Sequence, residues 1–150
     1  MDLEFEARCT AQLKSPLMVG AGPLGIRMVF QVVEGELSGP RIKARVVGAG
    51  ADWVLVGSDN WARMDVRAQF ETEDGAVLYA QYHGLIEMND ATVRALAEGT
   101  PTEFTDHYFR ITPRLETGGE GYEWVNQALF VGQGRFLPGL GLEYEIYRIV

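Results

Sequence analysis

The residue types best suited to chemistry in this chain cluster on one short segment and its neighbours. In WARMDVRAQFETE, Arg63, Asp65, Arg67, Gln69 and Glu71 alternate with Met64, Val66, Ala68 and Phe70. At a period of two, one face is charged and the other apolar. A carboxylate desolvated by Trp and Tyr neighbours has a raised pKa and works as an acid or base near neutrality. A guanidinium beside it stabilises an enolate or a carboxylate. Asp65 or Asp52 is therefore the candidate base and Tyr79 the candidate proton donor, with Arg67 and Arg110 as anion binders. Glu71, Tyr82, Tyr108, Trp124 and Asn126 complete the candidate lining, because small-molecule sites combine aromatic walls with a few convergent polar groups.

These groups suit proton transfer without a cofactor. The expected reaction is an isomerisation, cyclisation, elimination or hydration of a small carbonyl-bearing or aromatic compound. A non-catalytic carrier for a small hydrophobic ligand is the alternative, with the Arg and Asp side chains as mutually neutralised ion pairs. A barrel with a filled interior, acting through an oligomer surface, is the third reading.

Everything turns on which face of residues 61–73 looks inward. Asp74-Gly75 signals a hairpin. A two-residue turn there sets Glu71 against Leu78, Gln69 against Ala80 and Arg67 against Tyr82, and a one-residue slip exchanges the partners. In the unslipped register the charged row faces apolar and aromatic residues. An exterior ladder of alternating sign accounts for the same alternation. If the charged face lines a cavity, Met64 and Phe70 lie outside, and a homo-oligomer follows from their exposure.

Other motifs carry less. GAGPLG (20–25) spells the dinucleotide fingerprint, but Pro23 interrupts it and a β-rich run follows where a helix is required. His83, His107 and Cys9 lie far apart with no metal-ligand spacing, so neither a metal nor a cofactor is expected. Ser15, Ser38 and Ser58 lie outside any nucleophile-elbow motif. A net charge of -8 disfavours nucleic acid and anionic membrane surfaces. The acidic, alternating N-terminus and the single cysteine fit a cytoplasmic protein, and no apolar run is long enough to span a bilayer.

The elements that must hold these residues are short strands punctuated by 18 glycines. The predicted strands are 3–13, 27–37, 40–48, 51–57, 61–73, 76–88, 106–118, 123–134 and 142–150. NDATVRALAEG (89–99) is the one helix, with Asp90 as its cap and Gly99 as its end. Many short strands with regular turns read as a sandwich or an up-and-down barrel. The fold class expected is all-β: a closed antiparallel barrel of about eight to ten strands in a single domain, because closure removes the edges of so long a sheet.

Several stretches together are similar to a known family. GPRIKARVVGAGADWVLV, RMDVRAQFETEDGAVLYAQYHG, YFRITPRLETGGEGYEWVNQALFVGQGR and LEYEIYRIV, in that order and spacing, resemble the domain-of-unknown-function family 3237 of bacteria and fungi from about Gly39 onward. The resemblance implies a lipocalin-like barrel. Its shared turn residues, Gly39-Pro40, Asp74-Gly75 and Gly118, are explained by geometry. The shared polar and aromatic set is not: Asp52, Trp53, Asp65, Arg67, Glu71, Tyr79, Arg110, Glu116, Trp124 and Asn126. That set brings the inward reading of the charged row level with the outward one.

Overall fold

Period-two burial runs through strand after strand. The computed structural model describes residues 1–150. Its strands are β1 (Leu3–Leu13), β2 (Leu17–Gly22), β3 (Gly25–Ser38), β4 (Lys43–Val56), β5 (Trp61–Thr72), β6 (Val77–Glu87), β7 (Phe109–Thr117), β8 (Phe130–Leu137) and β9 (Gly141–Ile149). One helix, α1 (Asp90–Glu98), lies between β6 and β7, and a short 3-10 turn, Glu123–Gln127, lies between β7 and β8. Every pairing is antiparallel, in the order β1-β9-β8-β7-β6-β5-β4-β3, and β1 pairs back onto β3. The result is a closed eight-stranded barrel with β2 added along the first part of β3.

Alternation fills the interior. β5 turns Ala62, Met64, Val66, Ala68 and Phe70 inward, all buried. Phe109 and Ile111 of β7, Phe130 and Phe136 of β8, and Leu142, Tyr144 and Ile146 of β9 join them in one core. The rings fit because some facing positions are small. A Cβ on Gly134 would lie 2.9 Å from both the Phe109 and Tyr144 rings. Mixed small and large residues fill the taper of a small barrel in this way.

The β5–β6 hairpin is slipped by one residue from the two-residue-turn register. Phe70 pairs with Leu78, Ala68 with Ala80, Val66 with Tyr82 and Met64 with Gly84. The cause is a longer turn: Gly75 N–H donates to Thr72 O, Gly75 adopts φ 88°, and Thr72 N–H donates to Ala76 O. Such a turn adds a left-handed glycine and shifts the register. Apolar residues now face apolar residues across the pair, and the charged row lies outside.

Four further assignments change. Residues 17–22 form a strand, so GAGPLG is a hairpin in which Gly22 pairs with Gly25 around Pro23-Leu24. The two strands expected over 40–57 are one strand, β4, with an irregularity between Val47 and Ala51. Residues 123–127 are a 3-10 turn rather than the start of a strand. The cap of α1 is Asn89, whose side chain accepts from Thr92 N–H at 3.1 Å, while Gly99 ends the helix at φ 69° as expected. No helix is long and apolar enough to cross a membrane.

Candidate functional site

The structure divides the sequence-derived site residues between the two surfaces of the barrel wall. Asp65, Arg67 and Glu71 lie on the outer face of β5, opposite in direction to buried Met64, Val66 and Phe70. The expected cavity lined by the charged row is therefore absent from that face, and the exposed Met64 and Phe70 surface that pointed to an oligomer is core. The hydrophobic effect decides the matter: five apolar side chains gain from burial, while in the opposite row Arg63 and Arg67 stay exposed and Asp65 is half-buried, its Oδ1 without a hydrogen-bond partner. Glu71 meets Arg45 at 3.4 Å, and Arg63 is held by Asp59 at 2.6 Å. These are surface pairs of small energetic weight.

Tyr79 and Arg110 are outward as well, since they alternate with buried Leu78 and Ala80 and with buried Phe109 and Ile111. Tyr108 is 45% exposed; it lies under the Arg110 guanidinium at 5.0 Å and meets Trp61 edge-on at 5.5 Å. Arg110 and Tyr108 thus share an open groove on the outer wall with Arg63 and His83, away from Asp52. Asn126 is occupied by backbone: its Oδ1 accepts from Thr117 N–H and its Nδ2 donates to Thr117 O, both at 2.9 Å. It acts as a surrogate strand at the end of β7.

Trp124 closes the barrel end formed by the β3–β4 and β7–β8 connections. Arg41 stacks 3.7 Å from its ring and forms an ion pair with Glu6, which is 5% exposed. Glu6 sits where the β1–β9 register shifts, so both it and the next residue, Ala7, turn inward. Arg148 reaches the same carboxylate at 3.3 Å. A desolvated carboxylate met by two guanidinium groups is a closed structural unit.

Asp52 and Tyr82 do face the interior. Asp52 is 5% exposed. It borders a cavity of about 30 Å³ whose fourteen lining residues include thirteen hydrophobic ones. Met28, Phe30, Met64 and Phe109 form the walls, and Met88 and Leu96 of the helical connection close the end. The β4–β5 pairing passes from Asp52–Val66 to Leu55–Arg63, and within that interval Asp65 N–H donates to Asp52 Oδ1 at 3.0 Å. Burial is the main force on this carboxyl and pushes its pKa up to about 7; the Asp65 N–H opposes the shift and the Asp65 charge adds to it. Asp52 therefore titrates where acid–base catalysis at neutral pH requires.

Two phenols lie beyond the cavity lining: Tyr82 is in register with Asp52 across Val66, and Tyr144 meets the cavity residue Phe109 edge-on at 5.5 Å. Tyr82 and Tyr144 meet edge-on, with ring centroids 5.8 Å apart. Burial raises both phenol pKa values well above the ordinary range, and the Asp52 charge contributes to each. Tyr144 is 1% exposed, and its hydroxyl has no hydrogen-bond partner. Cys9 stands opposite Tyr144 across β1–β9, its thiol pushed up to about 12 by burial and hence inert. Tyr144 is absent from the sequence-derived set. Its signal lay in LEYEIYRIV, where Glu143 and Glu145 alternate with Leu142, Tyr144 and Ile146 and so assign the tyrosine to the apolar face.

Above the cavity the β2–β3 hairpin continues the apolar wall. Met18 pairs with Met28, and Ile26 shares that face; Met18 and Ile26 are 60% and 43% exposed.

Comparisons with known proteins agree with this architecture. The UPF0311 protein RPA1785 of Rhodopseudomonas palustris is 31% identical over 132 residues, covering 88% of this chain and 86% of its own. A UPF0311 protein of Clostridium acetobutylicum is 26% identical over 139 residues, covering 92% and 88%. The crystal structure of RPA1785, described as a conserved protein of unknown function, superposes with a TM-score of 0.89 over 100% of this chain and 99% of that one, at 28% identity. A β-barrel-like protein from Acinetobacter baumannii gives 0.82 at 32% identity, over 98% and 94%. A structure described as an enzyme from Penicillium herquei gives 0.72 at 19% identity, over 99% and 94%, and so shares the fold. The profile of the family described as protein of unknown function (DUF3237) matches residues 1–149, extending the resemblance from Gly39 back to the first strand, and the chain belongs to that family.

Proposed function

We propose that the protein binds a small, largely apolar molecule in the half of the barrel closed by α1, and that Asp52 moves a proton on it without a cofactor. The observation that carries this reading is a single carboxyl, 5% exposed, at the edge of an otherwise apolar cavity and titrating near 7. A group so placed is a base at one instant and an acid at the next, which isomerisation, cyclisation, elimination and hydration all use. The substrate class is a small carbonyl-bearing or aromatic compound. The barrel of a Penicillium herquei protein described as an enzyme gives the fold a catalytic precedent.

The present cavity has room for one or two waters, so a substrate enters by displacing side chains. Met28 in the wall and Met88 at the closed end are unbranched and repack at low cost. A carrier would use the same lumen and differ only in chemistry.

Acetophenone in D2O separates the readings. The wild type should bind it and speed deuteration of its methyl group, as read by proton NMR. Asp52→Asn should bind but lose the acceleration. Binding with no deuteration by either protein supports a carrier. No binding by either means a filled structural barrel.

A further inference from the structure

Hydrogen bonding inside the barrel is incomplete around Asp52. Asp52 Oδ1 accepts from Asp65 N–H, and no protein donor reaches Oδ2. Tyr144 is 1% exposed, and its hydroxyl has neither donor nor acceptor partner. Tyr82 lies edge-on beside it, ring centroids 5.8 Å apart, and its hydroxyl is the polar group placed to influence the Tyr144 hydroxyl most. Buried polar groups are nearly always satisfied, and each unmet one carries a desolvation penalty. An apolar barrel could hold phenylalanine at these positions and avoid that penalty. The gap in the polar network marks the place of a missing partner.

The chemistry of the gap restricts that partner. No arginine or lysine is buried in the molecule. Arg41, the guanidinium at the opposite end of the barrel, is committed to Glu6 and Trp124. A carboxylate or phosphate entering the lumen would leave its hydration shell and meet only Asp52, a group of the same sign. The phenol hydroxyls offer the complement of a neutral oxygen: each donates one hydrogen bond and stays protonated, since burial opposes ionisation.

We propose that Tyr144, supported by Tyr82, is the oxygen-binding end of the lumen, donating a hydrogen bond to the carbonyl oxygen of a neutral apolar ligand whose acidic α-hydrogen faces Asp52. The ligand class is thereby an uncharged ketone or enone rather than an acid. This rests on the small-molecule reading above. It removes Arg67 and Arg110 from ligand recognition and replaces charge pairing with a neutral donor. A phenol donor held beside the oxygen stabilises the charge that develops there when Asp52 withdraws the proton, because it is preorganised in a medium of low polarity.

The test measures binding of three probes of one size by calorimetry at pH 8: acetophenone, ethylbenzene and benzoate. Wild type, Tyr144→Phe and Tyr82→Phe are compared probe by probe, so that differences in probe hydrophobicity cancel. The expected result is that Tyr144→Phe weakens acetophenone about five- to tenfold, the loss of one neutral hydrogen bond, and leaves ethylbenzene unchanged. Tyr82→Phe should weaken acetophenone less. Benzoate should not bind any of the proteins measurably. Equal effects of Tyr144→Phe on acetophenone and ethylbenzene, or none on either, would overturn the assignment while the lumen remained a binding site. Benzoate binding as tight as acetophenone would overturn the neutral-ligand class. If the wild type binds none of the probes, the small-molecule reading falls and this inference falls with it. Retained ethylbenzene binding by Tyr144→Phe shows that the variant is folded.

Discussion

Replacing Asp52 by asparagine should stabilise the protein at neutral and alkaline pH. The carboxyl has an ordinary value of 3.8 and is raised to about 7 in the folded state. Between these values the folded state binds more protons than the unfolded state, so stability falls as pH rises through the window. The loss starts near pH 4, is complete above about 7, and amounts to roughly 4 kcal/mol at about 1.36 kcal/mol per pKa unit. Asparagine has nearly the same shape, and its Oδ1 can keep the 3.0 Å hydrogen bond from Asp65 N–H. The stability advantage of Asp52→Asn should therefore be small near pH 4 and grow by about 3–4 kcal/mol by pH 8.5, the melting temperature rising by on the order of 10 °C relative to wild type. Urea unfolding of both proteins across this range gives the difference directly, since effects of other titrating groups cancel. A gap that stays constant from pH 4 to 8.5 would refute the reasoning, because it would mean that Asp52 is not desolvated.

Two further outcomes separate structural from functional roles. Asn126→Ala should cost about 1–2 kcal/mol in urea unfolding, because both hydrogen bonds to the Thr117 backbone are lost, and should leave acetophenone affinity unchanged. Gly134→Ala should cost about 1–3 kcal/mol in the same assay, since its Cβ must push against the Phe109 and Tyr144 rings, and its fluorescence spectrum should report the displaced tyrosine.

The barrel was legible in the sequence because its signal is local. Period-two runs and glycine punctuation located most of the strands, and a long antiparallel sheet has few ways to remove its edges. What escaped depends on turn geometry. One additional residue in the Asp74-Gly75 turn moves every partner across β5–β6, and no propensity of the flanking residues encodes that count. The segment Leu17–Gly22 escaped because its glycines and neighbouring proline read as loop, while its pairing with β3 supplies the strand.

The direction in which the candidate residues point was half legible for a related reason. Asp52 and Tyr82 are inward, whereas Asp65, Arg67, Glu71, Tyr79 and Arg110 belong to the outer wall. Residues shared with the family mix requirements that a single sequence does not separate. Asn126 completes a backbone ladder, Trp124 closes an end over Arg41, and Asp52 stands alone in the lumen. Tyr144 lay in plain view, but a lone tyrosine on an apolar strand face has no mark distinguishing a filler from a donor. Its orphaned hydroxyl, on which the proposed donor role rests, becomes visible only when the neighbours are in place.

The structural account of Asp52 is that it patches the β4–β5 ladder. Asp65 N–H turns to the carboxylate, while Trp53 O accepts from Arg27 at 2.8 Å. Patching requires an acceptor oxygen at that point and nothing more. Asparagine would provide one without the roughly 4 kcal/mol that ionisation of a buried carboxyl costs above neutrality. A total stability of about 5–15 kcal/mol makes that a heavy penalty for a group whose charge the fold does not use. Stability forfeited at one residue is a hallmark of sites kept for function. The patch thus explains why an oxygen sits at position 52, and the proton transfer proposed above is the role that calls for that oxygen to belong to an acid.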